Sequence, residues 1–87
     1  MEAALIAFSS STSANRLKRI AEKEQLYKVT ITQTPRSISQ NGCTYSVKCP
    51  ISLLSALLKL ADEYHIKHGQ VYRETLDKEG RKFYQRL

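Results

Sequence analysis

The sequence predicts an α+β domain of the ferredoxin-like kind, βαββαβ, with two helices on one face of an antiparallel sheet. Three observations lead there. Tyr27–Thr34 and Cys43–Cys49 each alternate apolar and polar residues at the period of a half-buried strand. The stretches "ANRLKRIAEKEQ" and Ile51–Tyr64 instead repeat their apolar residues at helical spacing. Finally, 87 residues suffice for one small domain with a limited core.

In chain order, "AALIAF" (Ala3–Phe8) is a continuous apolar run and reads as a buried first strand. The cluster Ser9–Ser13 is rich in helix-capping residues. The first helix follows, with Ala14, Leu17, Ile20 and Ala21 on its apolar face and Arg16, Lys18, Arg19, Lys23 and Glu24 in solvent. Strand two, Tyr27–Thr34, turns Tyr27, Val29 and Ile31 inward and Lys28, Thr30 and Thr32 outward. Strand three turns Cys43, Tyr45, Val47 and Cys49 inward and Thr44, Ser46 and Lys48 outward. Pro50 suits the first turn of helix two, whose apolar positions Ile51, Leu54, Leu57, Leu58 and Ala61 are followed by Gly69 as its C-cap. "QVYRETL" (Gln70–Leu76) is the fourth strand. The tail returns as a short fifth strand after a turn at Asp77–Gly80, in preference to a frayed helix. The division is thus one domain over residues 1–76 and an extension over 77–87 that packs on it or frays from it. The expected strand order is 4-1-3-2, with the polar sheet face left in water.

Composition is that of an ordinary soluble globular protein, with 41% hydrophobic and 25% charged residues. The net charge of +6 is spread over both halves of the chain, without a basic tail or dense tract. An acidic protein or a small anion suits it as well as nucleic acid does. Weak nucleic-acid binding through the basic surface is accordingly a third-ranked reading, and the outward residues of strand three offer no aromatics on which RNA bases could stack. The apolar start lacks a basic segment, carries Glu2 there, and is too short for a signal peptide; no run approaches a membrane span. A cytoplasmic location follows, without a membrane partner. On one extended strand Cys43 and Cys49 would be about 20 Å apart, too far for a disulfide, and free thiols fit a reducing compartment. His65 and His68 lie one helical turn apart, but two ligands close no metal site. No metal and no cofactor is expected, for phosphate loops, nucleophile elbows and paired carboxylates are all missing from the sequence.

The connection "TPRSISQNGC" is longer than a hairpin requires. In a ferredoxin-like topology strands one and two end at the edge where helix one begins. Cys43, next to Gly42, would then fall beside the turn of Ser10, Ser11, Thr12 and Ser13, with Arg36 over the same place. Free N–H groups at a helix N-terminus and an arginine make a field that favours a thiolate. The opposing reading takes Cys43 as an inert core residue of a non-enzymatic protein–protein interaction module, which docks a partner through its basic surface or free sheet edge.

Three features, "FSSSTSA" before helix one, "TPRSIS" after strand two, and the Cys43 that follows, resemble the selenium/sulfur (Se/S) carrier protein-like family of small bacterial domains, over about Ile6 to Tyr72. Two details differ from that pattern: Thr44 stands where the family has glycine after the cysteine, and "SQNGC" is one residue longer than the family's stretch. The resemblance implies a carrier rather than a turnover enzyme. Cys43 would hold sulfur or selenium as a persulfide or selenopersulfide, and Thr34, Pro35, Arg36 and Ser39 would form its loop. The implied partners are a donor protein of the cysteine desulfurase type and an acceptor.

Overall fold

β1 (Ala3–Phe8) is the strand around which the others are laid. From Ala4 on, its residues are buried, whichever face they point to. A strand apolar on both sides belongs in the middle of a sheet covered on both sides. The computed structural model, which describes residues 2–38 and 44–87, has it there. Its five strands run in the order β2-β3-β1-β4-β5, all neighbours antiparallel. The remaining elements are α1 (Ser11–Lys23), β2 (Thr30–Gln33), β3 (Tyr45–Pro50), α2 (Leu54–Glu63), β4 (Val71–Leu76) and β5 (Lys82–Arg86). The expected 4-1-3-2 order is therefore present, and the tail adds a fifth strand beside β4.

Ala4, Ile6 and Phe8 of β1, with Val47 and Cys49 of β3, form the core under the helices. Ala14, Leu17, Ile20 and Ala21 of α1 and Leu57, Leu60 and Ala61 of α2 complete it. Burying a side chain such as Leu17 or Leu57 contributes about 1.5–3 kcal/mol each.

Both helices end in the same way. Glu24 caps α1, and the N–H groups of Gln25 and Leu26 donate to the carbonyls of Glu22 and Ala21. Tyr64 caps α2, and the N–H groups of His65 and Ile66 donate to Asp62 and Ala61. These are Schellman motifs, which need a left-handed residue just past the cap. Gln25 (φ 64°) and His65 (φ 53°) supply it. Gly69 is thus not the C-cap expected of it. Its N–H instead donates to the Ala7 carbonyl at 2.7 Å and lengthens the β1–β4 pairing.

Other boundaries move as well. β2 begins at Thr30, leaving Tyr27 72% exposed outside the strand, where alternation had turned it inward. Pro50 closes β3 and leads into a 3₁₀ turn, Ile51–Leu53, because its fixed φ of −58° comes with an extended ψ of 145°. The helix proper starts only at Leu54.

The sheet face away from the helices is not left to water as expected. Leu5, Ala7 and Tyr72 form a second apolar cluster there, with Ile38 and Tyr84 packed against it. Ser46 on the same face is fully buried. Alternation assigned Ser46 its face correctly; what changes its environment is the chain that returns over it.

Candidate functional site

The site is framed by strand register. Phe8 of β1 and Gln33 of β2 both lie opposite Tyr45 of β3, so three strands come level at one end of the sheet. One further rung follows, in which the Thr34 N–H donates to the Thr44 carbonyl at 2.9 Å. At that end Ser9 leaves β1 and α1 begins. The long connection from Thr34 to Thr44 therefore opens and closes at the end of the sheet from which α1 also starts, as the topology predicted. Ser39, Gly42 and Cys43 lie outside the described residues. Cys43 is the residue immediately before Thr44 in the chain.

Thr34 fastens the first end of the connection. It is buried, and its Oγ1 lies 2.7 Å from the Ser46 Oγ, one hydroxyl donating to the other. Pro35 then starts a turn in which the Ile38 N–H donates to the Pro35 carbonyl at 3.0 Å. The fixed φ of proline suits that position. Ile38 packs against the cluster of Leu5, Ala7 and Tyr72, on the face opposite the helices. Arg36 is exposed in this turn. Sequence patterning gave no sign that Ile38 would hold the loop down, since a lone isoleucine in a polar stretch has no period to read.

Ser10 is the N-cap of α1. Its extended backbone (φ −128°, ψ 127°) lets its Oγ accept from the Ser13 N–H at 3.4 Å, while the Ala14 N–H donates to the Ser10 carbonyl. Ser11 and Thr12 are exposed in the first turn, the part of a helix whose N–H groups lack intrahelical acceptors. The sequence placed the cap within Ser9–Ser13, and the structure narrows it to Ser10.

Two residues near this terminus were not foreseen. A cleft of about 380 Å³ runs along Phe8, Ser9, Ser10 and Ser13 and is closed by Lys67 and His68. The chain reaches it because α2 stops at Glu63 and the following residues, 64–70, cross back to pair with β1 through Ala7 and Gln70. His68 stands edge-on to Phe8 with ring centroids 6.3 Å apart, and its Nδ1 lies 2.8 Å from the Gly69 carbonyl. His65 is separated from that place by the left-handed turn that ends α2. The two histidines are thus not one turn apart on a helix. Among the described residues, no group of three or more His, Cys, Asp or Glu is arranged to hold a metal. His68 could have been found by noting that a residue just before strand four must arrive at the end of its antiparallel neighbour, strand one.

Cys49 is a core residue, 1% exposed beneath the helices. Burial penalises its thiolate and pushes the thiol pKa up to about 11. On the opposite face Lys48 and Glu74 pair at 3.2 Å across β1. Tyr84 of β5 hydrogen-bonds Glu74. Burial first, and then that carboxylate, push its phenol up to about 12.

Among the described residues no helix is long and apolar enough to cross a membrane. A family model described as "Putative Se/S carrier protein-like" matches residues 3–73, which include every element from β1 through the first half of β4, and Cys43. Neither a curated protein nor a solved structure matches the chain.

Proposed function

Because the chain belongs to the Se/S carrier protein-like family, we propose that it carries sulfur or selenium on Cys43, receiving the atom from a donor persulfide or selenopersulfide and handing it to an acceptor. The Cys43 thiolate attacks the outer sulfur of a donor R–S–SH. A Cys43 Sγ–S bond forms as the donor's S–S bond breaks, the donor leaves as its thiolate, and the proton stays with the transferred sulfur. No net oxidation occurs, so neither a cofactor nor a redox partner is needed. Delivery to the acceptor is the same step in reverse order. Selenium takes the place of sulfur atom for atom.

The observation that carries this reading is the state of the other thiol. The chain has two cysteines. Cys49 is sealed in the core with its pKa near 11, so at neutral pH it is neither ionised nor reachable. If the family's chemistry runs on a thiol of this chain, that thiol is Cys43. Its neighbour Thr44 lies at the end of the sheet where β1 leads into α1, whose first turn holds the Ser10 cap, Ser11 and Thr12. The cleft that Lys67 and His68 line runs along Phe8, Ser9, Ser10 and Ser13 of the same end. Helix N–H groups and cations both favour an anion. In this reading Thr34 and Pro35 hold the start of the loop and Arg36 adds charge from its exposed turn, while the supporting roles of Ser39 and Gly42 rest on the sequence alone. The donor is a protein that bears a persulfide, as a cysteine desulfurase does.

The reading is tested by alkylation with iodoacetamide over a pH series, resolved by peptide mass. Cys43 is expected to react in the native state with a midpoint below the ~8.5 of an ordinary thiol. Arg36→Ala should raise that midpoint while changing stability by no more than about 0.5 kcal/mol, since an exposed loop charge holds little of the fold. Arg36→Lys should recover part of the effect, because it keeps the charge but loses the planar fork. If Cys43 reacts only when the chain unfolds, it is a core residue and the carrier reading ends.

A further inference from the structure

We propose that the free edge of β5 is a docking edge for an acidic, extended segment of another protein, which joins the sheet as a strand beside Lys82–Arg86. This goes beyond the carrier reading and does not depend on Cys43. β5 lies outside the residues that the family model matches, 3–73, so the match assigns it no role.

The hydrogen-bond register shows what the edge offers. The Leu87 N–H donates to the Val71 carbonyl at 2.9 Å, and the Asp77 N–H to the Arg81 carbonyl at 2.9 Å. The odd-numbered residues of β5 therefore turn their backbone groups toward β4. In an antiparallel ladder the alternate residues turn theirs away. Lys82, Tyr84 and Arg86 thus present their N–H and C=O groups to the outside, a ready template for another strand.

The side chains select the occupant. Lys82, Tyr84 and Arg86 share the face opposite the helices, as their cross-strand partners Leu76, Glu74 and Tyr72 do. Among the described residues no carboxylate lies within ion-pair distance of Lys82 or Arg86. On the other face Phe83 and Leu87 stay 55% and 57% exposed at the rim of the sheet. A second copy fits poorly. With the two β5 strands antiparallel and fully overlapped, Lys82 of each meets Arg86 of the other, and like charges directly opposite one another are destabilising. A segment with carboxylates on one face and aliphatic side chains on the other satisfies both faces at once. The net charge of +6 would speed its approach.

The probe is a capped peptide alternating glutamate and valine, about as long as β5, titrated into the ¹⁵N-labelled full chain at low salt. Shifts and slowed amide exchange are expected at Lys82, Tyr84 and Arg86. A double variant, Lys82→Glu with Arg86→Glu, should weaken binding by roughly tenfold, the effect of two exposed ion pairs. Lys82→Pro removes an outward N–H without breaking a ladder bond and should weaken it as well. A thermal melt of each variant checks the fold, and the charge variant carries the test alone if the proline variant unfolds. The proposal is overturned if the peptide does not bind, if a lysine–valine peptide binds equally well, if the shifts fall on the β2 edge, or if β5 mediates a concentration-dependent dimer.

Discussion

Thr34 and Ser46 place two hydroxyls 2.7 Å apart beneath the connection that follows β2. Both are buried, so each is the other's substitute for water. Ser46→Ala or Thr34→Val alone strands a buried hydroxyl or its vacancy and should cost about 1–3 kcal/mol, whereas the double change should cost much less than the sum. Urea unfolding of the three variants measures this coupling, and strict additivity would mean the hydroxyls do not depend on each other. Cys49 makes a second residue-scale prediction. Its neutral thiol is favoured by burial, so its folded pKa of about 11 lies above that of the unfolded chain, near the ~8.5 of a free thiol. The resulting stability is complete below that lower value and is lost as pH rises toward 11. Stability measured over this window should fall less in Cys49→Ala than in the wild type. The burial of Cys49 was legible in its alternation with Tyr45 and Val47. The burial of Ser46 was not, because a strand's period tells which face a residue takes and not what lies over that face.

At the scale of elements, the two helix ends show where local signals mislead. Gly69 looked like a helix stop because glycine is the usual left-handed residue, yet α2 ends six residues earlier in sequence, at Glu63, with His65 taking that conformation. The Schellman bonds to Asp62 and Ala61 and the burial of Ile66 outweigh the strain. The same holds for Gln25 after α1. A non-glycine residue in the left-handed region costs on the order of 1 kcal/mol. Gln25→Gly and His65→Gly should therefore each raise stability by up to about 1 kcal/mol, less what glycine adds to the entropy of the unfolded chain. Thermal melts read the result directly, and loss of stability in both would show that the side chains, not the backbone bonds, hold these turns. The helices themselves were legible, since their apolar stripes are long enough to show a period; α1 needed only its cap narrowed to Ser10.

At the scale of the whole molecule, the strand order followed from the βαββαβ order of elements, whose ferredoxin-like arrangement puts β1 beside β3 and β4. The fifth strand followed from the turn residues around Gly80, whose φ of 81° suits glycine. What stayed hidden was long-range: Ile38 reaching across to Leu5 and Tyr72, Lys67 and His68 arriving at the start of α1, and Glu74 drawing in Lys48 and Tyr84. Each joins residues far apart in the chain, where no local pattern can speak for both. That β2, β3 and the start of α1 share one end of the sheet was legible from the topology, but the arrival of Lys67 and His68 beside Ser10 and Ser13 was not.

Incubating the protein with a cysteine desulfurase and cysteine, and weighing the peptides that contain Cys43 and Cys49, tests the central claim most directly. One added sulfur on the Cys43 peptide, lost in Cys43→Ser and retained in Cys49→Ser, is the result predicted here. Sulfur on Cys49, or on neither cysteine while the fold stays intact, would contradict it.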